Sequence, residues 1–175
     1  MNRLRLMAVG IIAALCITAS PAAAQDEDEV AETIQKFEEG DPGIQAWFTE
    51  AYGYAVFPSV GKGGFGIGAA RGKGLVYEQG ALVGKVTLTE VTVGFQVGGQ
   101  SFSEAIFFKD KTAFDDFTRG NYEFDAGVSA VALTTGASAE LGYNGGVAVV
   151  TATKGGLMYE ASVGGQKFDY EVIEN

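Results

Sequence analysis

The sequence predicts a mainly β, α+β fold: a strongly twisted antiparallel sheet, closed or nearly closed into a barrel or sandwich, with an N-terminal helical hairpin and one short internal helix. Three observations carry the prediction. From Tyr54 onward apolar residues recur with a period of two, in a stretch rich in Val, Thr, Tyr and Phe. Glycines punctuate that stretch at short intervals, as the turns of antiparallel sheets require. The alternate positions Gly94, Gln96 and Gly98 form a face with almost no side chains, which suits a strongly coiled sheet.

The first residues carry Arg3 and Arg5, an apolar run from Leu6 to Ala19, the small-residue stretch Pro21-Ala22-Ala23-Ala24, and then acids from Asp26. This is the pattern of a secretory signal peptide cut after Ala24, and the run is shorter than the roughly 20 residues that span a bilayer. Cys16 follows Leu15 rather than the small residue that lipoprotein processing wants. With residues 1–24 removed, residues 25–175 make one domain of roughly 150 residues, enough for a hydrophobic core. No cysteine remains in it, so burial alone must hold the fold.

From Asp26 to Tyr52 the spacing is helical, with Val30, Ile34 and Phe37 on one face. Gly40-Asp41-Pro42 interrupts it, and Asp41 is placed to cap a second helix with Pro42 in its first turn. That helix carries Ile44, Phe48 and Ala51 as an apolar stripe beside Trp47 and ends at Gly53. Strands are expected near 54–57, 64–70, 73–79, 82–89, 91–98, 102–108, 122–133, 146–153, 156–163 and 167–172. Between Val86-x-Leu88 and Val91-x-Val93 the apolar positions change parity, which calls for a bulge or tight turn at Thr89-Glu90. Asp110 is placed to cap a short helix from Lys111 to Thr118 with Ala113, Phe114 and Phe117 on one side, ending at Gly120. Lys73-Gly74-Leu75-Val76-Tyr77-Glu78 is echoed by Lys154-Gly155-Gly156-Leu157-Met158-Tyr159-Glu160, either a duplicated hairpin or a likeness of composition.

The chain has 12 basic and 22 acidic residues, a formal net charge of −10, with two of the basic residues in the leader. Such a surface repels nucleic acid, and repels anionic membranes unless its few cations gather on one face. Histidine is absent and the one cysteine lies in the leader, which removes the commonest general base, thiolate nucleophiles and structural zinc sites. No stretch has the ligand spacing of an EF-hand. Gly61-Lys62-Gly63-Gly64-Phe65-Gly66 has the glycine spacing of a dinucleotide fingerprint, but Ile67-Gly68-Ala69 continues a strand where the fingerprint needs a helix. No catalytic residue, metal site or cofactor is therefore expected. What stands out is that Lys62, Arg71 and Lys73 fall within one acid-free stretch beside Phe57 and Phe65. They read either as a basic patch able to meet phosphate head groups and acyl chains, or as lysines and an arginine that keep strand ends unpaired.

The stretch Gly53-Tyr54-Ala55-Val56-Phe57-Pro58-Ser59-Val60-Gly61-Lys62-Gly63-Gly64-Phe65-Gly66-Ile67-Gly68 resembles the opening signature of the SYLF family, and the likeness continues through Arg71-Gly72-Lys73-Gly74-Leu75-Val76-Tyr77. Gly94-Phe95-Gln96-Val97-Gly98-Gly99-Gln100-Ser101 is similar to its central strand, residues 107–117 to its following strand and helix, and Lys154 to Gly165 to its C-terminal segment. The resemblance spans most of residues 47 to 170. It implies a lipid-binding domain, of a family whose eukaryotic relatives bind phosphoinositides and in some cases actin, and whose bacterial members are small exported proteins. It makes Lys62, Arg71 and Lys73 candidate head-group contacts. One departure is that residues 26–41 hold a single cation, Lys36, where eukaryotic members carry a basic amphipathic helix. Actin is not an expected partner in an exported compartment.

The sequence thus points to a non-enzymatic lipid- or phospholipid-binding protein of the bacterial cell envelope, periplasmic or secreted. Its expected site is an apolar contact of Trp47, Phe48, Phe57 and Phe65 ringed by Lys62, Arg71 and Lys73. Two alternatives stand beside it: an envelope scaffold or stress protein acting through a protein partner, and a small outer-membrane β-barrel. Against the barrel, strands such as 64–70 and 73–79 fall short of the roughly 9–11 residues a spanning strand needs.

Overall fold

The computed structural model describes residues 21–65, 67–93, 98–120, 122–125, 127–154 and 161–173. Residues 1–20 of the expected leader (1–24), the Gly94 to Val97 stretch and residues 155–160 of the echoed motif lie outside the described residues. The elements run α1 (Pro21–Gly40), α2 (Ile44–Glu50), β1 (Gly53–Phe65), β2 (Ile67–Glu78), β3 (Ala81–Val93), β4 (Gly98–Phe108), α3 (Lys111–Thr118), β5 (Tyr122–Glu123), β6 (Ser129–Ala132), α4 (Ala137–Glu140), β7 (Val147–Thr153), β8 (Ala161–Ser162) and β9 (Lys167–Val172). The mainly β class, the helical hairpin and the short internal helix are as the sequence predicts.

The strands form one sheet in the order β5-β9-β3-β2-β1-β4-β7-β6-β8. Its curvature follows from the chain itself. β9 and β8 are seven strand spacings apart, about 34 Å in a flat sheet, yet only four residues separate Ser162 from Lys167, and the five steps between them reach at most about 18 Å. The sheet therefore curls into a half-barrel. Its seam is bridged by chain rather than by a ladder between β5 and β8, with Phe124 N–H donating to the Gln166 carbonyl and Gly165 N–H to that of Phe124, both at 2.9 Å. The expected strand 122–133 is split here into β5 and β6, because its middle residues cross the seam. One pair departs from the antiparallel expectation: β6 runs parallel to β7, Ala130 opposite Val149.

The long strands correct three further expectations. Gly72 and Gly74 do not break a strand. A Cβ on Gly72 would lie 2.8 Å from a Val60 methyl, and one on Gly74 2.5 Å from the Val56 carbonyl oxygen and 2.8 Å from the Phe57 ring. They are places where inward side chains of β1 lie flat on β2, so two expected strands are one. Pro58 does not end β1 either, because the register shifts on both flanks between Val56 and Val60, and a proline without an N–H sits within that bulge. No slip occurs at Thr89-Glu90, where the pairing Arg71–Thr89, Ala70–Glu90, Ala69–Val91 is continuous. The parity change arises because Glu90 is buried and Val91 exposed. The β2–β3 hairpin turns instead at Gln79-Gly80, both with positive φ (49° and 82°), the mark of a type I′ turn. We expect Gly74→Ala to cost about 1–3 kcal/mol in urea unfolding. Gly61→Ala, whose Cβ would meet nothing within 4 Å, should stay near wild type.

Two cores flank the sheet. On the inner face lie Phe57, Val60, Leu88, Phe102, Ile106, Phe108 and Phe168, closed at one end by Phe114 and Phe117 of α3. Asp110 caps that helix as predicted, Oδ1 accepting from Ala113 N at 3.0 Å. On the outer face Val30 and Phe37 of α1 and Ile44 of α2 cover Val56, Leu75, Ala105, Phe107 and Val150. Asp41 does not cap α2, whose N-cap is Gly43. Its Oδ2 instead accepts from Ser138 N in the first turn of α4 at 2.6 Å, tying the helical hairpin to the distant end of the chain. Hydrogen bonding with Ser138, by its side chain first and its backbone N–H second, holds the Asp41 carboxyl below its usual range.

Candidate functional site

Strand parity divides the expected basic patch. Cross-strand partners point to the same face, and the register sets Lys73 opposite Ser59 and Arg71 opposite Gly61, but Lys62 opposite Ala70. Arg71 and Lys73 are exposed on the outer face; Ala70 is buried on the inner one. Lys62 therefore turns inward, where its Nζ lies 3.0 Å from Glu90 Oε1. Proximity in sequence had grouped three cations that a period of two separates.

The aromatic residues separate as well. Phe57 is fully buried against Phe168, with ring centroids 5.9 Å apart, and does not reach the surface. Trp47 and Phe48 are half-buried on α2, both packed on Phe107 at 5.7 and 4.9 Å. Trp47 also packs, tilted, at 5.1 Å on Tyr143, with which it lines a separate cleft of about 110 Å³, and its Nε1 donates to the Ser138 carbonyl. The Phe65 side chain lies outside the described residues.

What the fold does assemble is a graded strip along the outer face of β2 and β3. Leu75 is buried under the helices; Lys73 and Arg71 follow, exposed; then Ala69 and Ile67 at the strand's start. On β3 the paired positions are Lys85, Thr87, Thr89 and Val91. Ile67 is 68% and Val91 75% exposed, the largest values among the described exposed large hydrophobic residues apart from Val172, also 68%. At about 3.3 Å per residue, the strip from Leu75 to Ile67 runs about 26 Å. Beside its cationic band a groove of about 670 Å³ is lined by Ser59, Arg71, Lys73, Lys85 and, from α1, Asp26 and Glu29. Lys85 Nζ is held 2.9 Å from Asp26 Oδ2. Lys85, Ile67 and Val91 escaped the sequence reading, yet all three follow from carrying the alternation of β2 across to β3.

Among the described residues, no three His, Cys, Asp or Glu side chains come together to hold a metal ion. No described helix is long and apolar enough to cross a membrane. β1 to β4 are 11–13 residues long, so the strand-length argument against a membrane barrel fails. The outer face of those strands carries α1 and α2 over an apolar core.

No protein-family model matches the chain. The chain is similar to the protein called Beta cell expansion factor A of Aeromonas veronii, 31% identical over 138 residues, which cover 77% of this chain and 51% of the relative. The chain thus spans about half the length of the curated relative it matches.

Proposed function

We propose that this protein is a non-enzymatic lipid-binding protein of the bacterial cell envelope, exported by a cleaved leader and related to the SYLF family. It meets an anionic phospholipid surface with the outer strip of β2 and β3. The observation that carries the reading is one face on which exposed Ile67 and Val91 adjoin the cations Arg71 and Lys73. In such an arrangement the apolar end enters the acyl boundary while the cations meet phosphate, each cation worth about 1 kcal/mol near an anionic leaflet. The groove beside Arg71, Lys73 and Lys85 has the size of sites that take a small molecule or a single head group.

The test is co-sedimentation of residues 25–175 with neutral, anionic and phosphoinositide-containing vesicles at low and physiological salt. Binding to anionic vesicles that weakens with salt is expected. Arg71→Glu with Lys73→Glu should weaken it roughly 30-fold or more, and Ile67→Asp with Val91→Asp should abolish what survives at high salt. Unchanged binding by both variants removes this surface. No binding to any vesicle moves the function to a protein partner, as in an envelope scaffold.

A further inference from the structure

The interior of the half-barrel holds a polar cluster that lipid binding does not use. Lys62, Ala70 and Glu90 stand in one row across β1, β2 and β3 on the inner face. Because the middle residue is alanine, the Lys62 ammonium reaches over it to Glu90, and the two side chains are only 16% and 3% exposed. From β4, opposite Phe57, the fully buried Glu104 enters the same interior. Its Oε2 accepts from Nε2 of Gln166, also fully buried, at 3.1 Å. The charges of Glu90 and Lys62 both act on Glu104.

Three oxygens of this cluster, Glu90 Oε2, Glu104 Oε1 and Gln166 Oε1, are buried without a hydrogen-bond partner. Native interiors leave few such atoms, and each orphan costs about 1–3 kcal/mol. All three are acceptors, and one water molecule, with two protons, cannot satisfy them together. With both carboxyls ionised, two negative charges face one ammonium, so one charge is uncompensated in a low-dielectric interior.

We propose that Glu90 Oε2, Glu104 Oε1 and Gln166 Oε1 form an internal binding site for one alkali cation, sodium or potassium. Carboxylate and amide oxygens are hard donors, suited to ions that bind oxygen. A single positive charge neutralises the cluster. A divalent ion would overshoot, and would have two carboxylates beside an ammonium where it needs a larger set of oxygens. A proton on Glu104, whose carboxyl burial pushes up to about 8, is the competing occupant of the same excess charge.

The proposal is tested by thermal unfolding of the full chain at about pH 9, above the value to which burial pushes Glu104, in sodium, potassium or tetramethylammonium chloride at one ionic strength. The melting temperature should be about 3 °C or more higher in one alkali salt than in the bulky organic one. Glu104→Gln, which leaves one carboxylate for one ammonium, should lose that difference. Lys62→Met, which leaves two carboxylates uncompensated, should enlarge it even though the fold is weakened, so the variants move in opposite directions. Equal melting temperatures in all three salts overturn the proposal, as does a difference that survives Glu104→Gln. If Glu104→Gln fails to fold, a Lys62→Met difference no larger than wild type overturns it too.

Discussion

Glu104→Gln is expected to make the protein more stable than wild type at pH 8 and to flatten its stability between pH 5 and pH 8. The Glu104 carboxyl is fully buried, and desolvation, with the nearby Glu90 charge, raises it to about 8 against the opposing effects of the Gln166 hydrogen bond and Lys62. The folded state therefore holds this proton more tightly than the unfolded state does. Its stabilising contribution is complete below the ordinary glutamate range near 4.5, is lost progressively as pH rises to about 8, and changes no further above that. At about 1.4 kcal/mol per pH unit, the loss amounts to a few kcal/mol, or roughly 10 °C in melting temperature for a domain of this size. Glutamine keeps the shape and the bond to Gln166 without a proton to lose. Urea unfolding of both proteins at pH 5, 6, 7 and 8 in tetramethylammonium chloride, where no alkali cation competes with the proton, checks this, and parallel pH profiles would mean that Glu104 titrates normally.

Phe168→Ala is expected to destabilise the protein by about 3–5 kcal/mol, the range for removing a buried aromatic ring. Phe168 stands on β9 between Leu88 of β3 and Tyr122 of β5. Its ring centroid lies 4.8 Å from Phe124, 5.1 Å from Phe117 and 5.9 Å from Phe57. One side chain thus joins β1, the capping helix α3 and the seam, and no neighbour can collapse into its place without leaving another of those contacts. Val172→Ala on the same strand removes an exposed side chain and should fall within about 0.5 kcal/mol of wild type. Guanidinium unfolding of the two variants separates a loss of packing from a general weakening of β9.

The helices were legible because their signals are local. Asp110 caps α3 through a bond three residues away, and Val30 and Phe37 declare their face by spacing alone. The long strands were less legible because a glycine that ends a strand and a glycine that admits a ring are the same letter. Gly72 and Gly74 differ from turn glycines only in facing Val60 and Phe57, a fact of register. The same blindness affected the basic patch. Lys62 and Arg71 are close in sequence, but one reaches Glu90 inside and the other stands in solvent, because the hairpin that reverses direction between them sets which face each takes. Asp41 binds Ser138, a partner ninety-seven residues away, and no window of local spacing contains it.

The placement of β9 has a temporal meaning. β1 to β4 are neighbours or near neighbours in sequence and zip from hairpin to hairpin, so a chain made from its N-terminus holds most of this meander early. Yet β9, which must slot between β3 and β5, follows every other described strand along the chain. Until Lys167–Val172 arrives, β3 is an unpaired edge of thirteen residues, the kind of template onto which another unfinished copy can add itself. The growing chain is most prone to self-association in the interval before β9 is made, and a holdase that masks β3 during that interval would raise yield without touching the finished molecule.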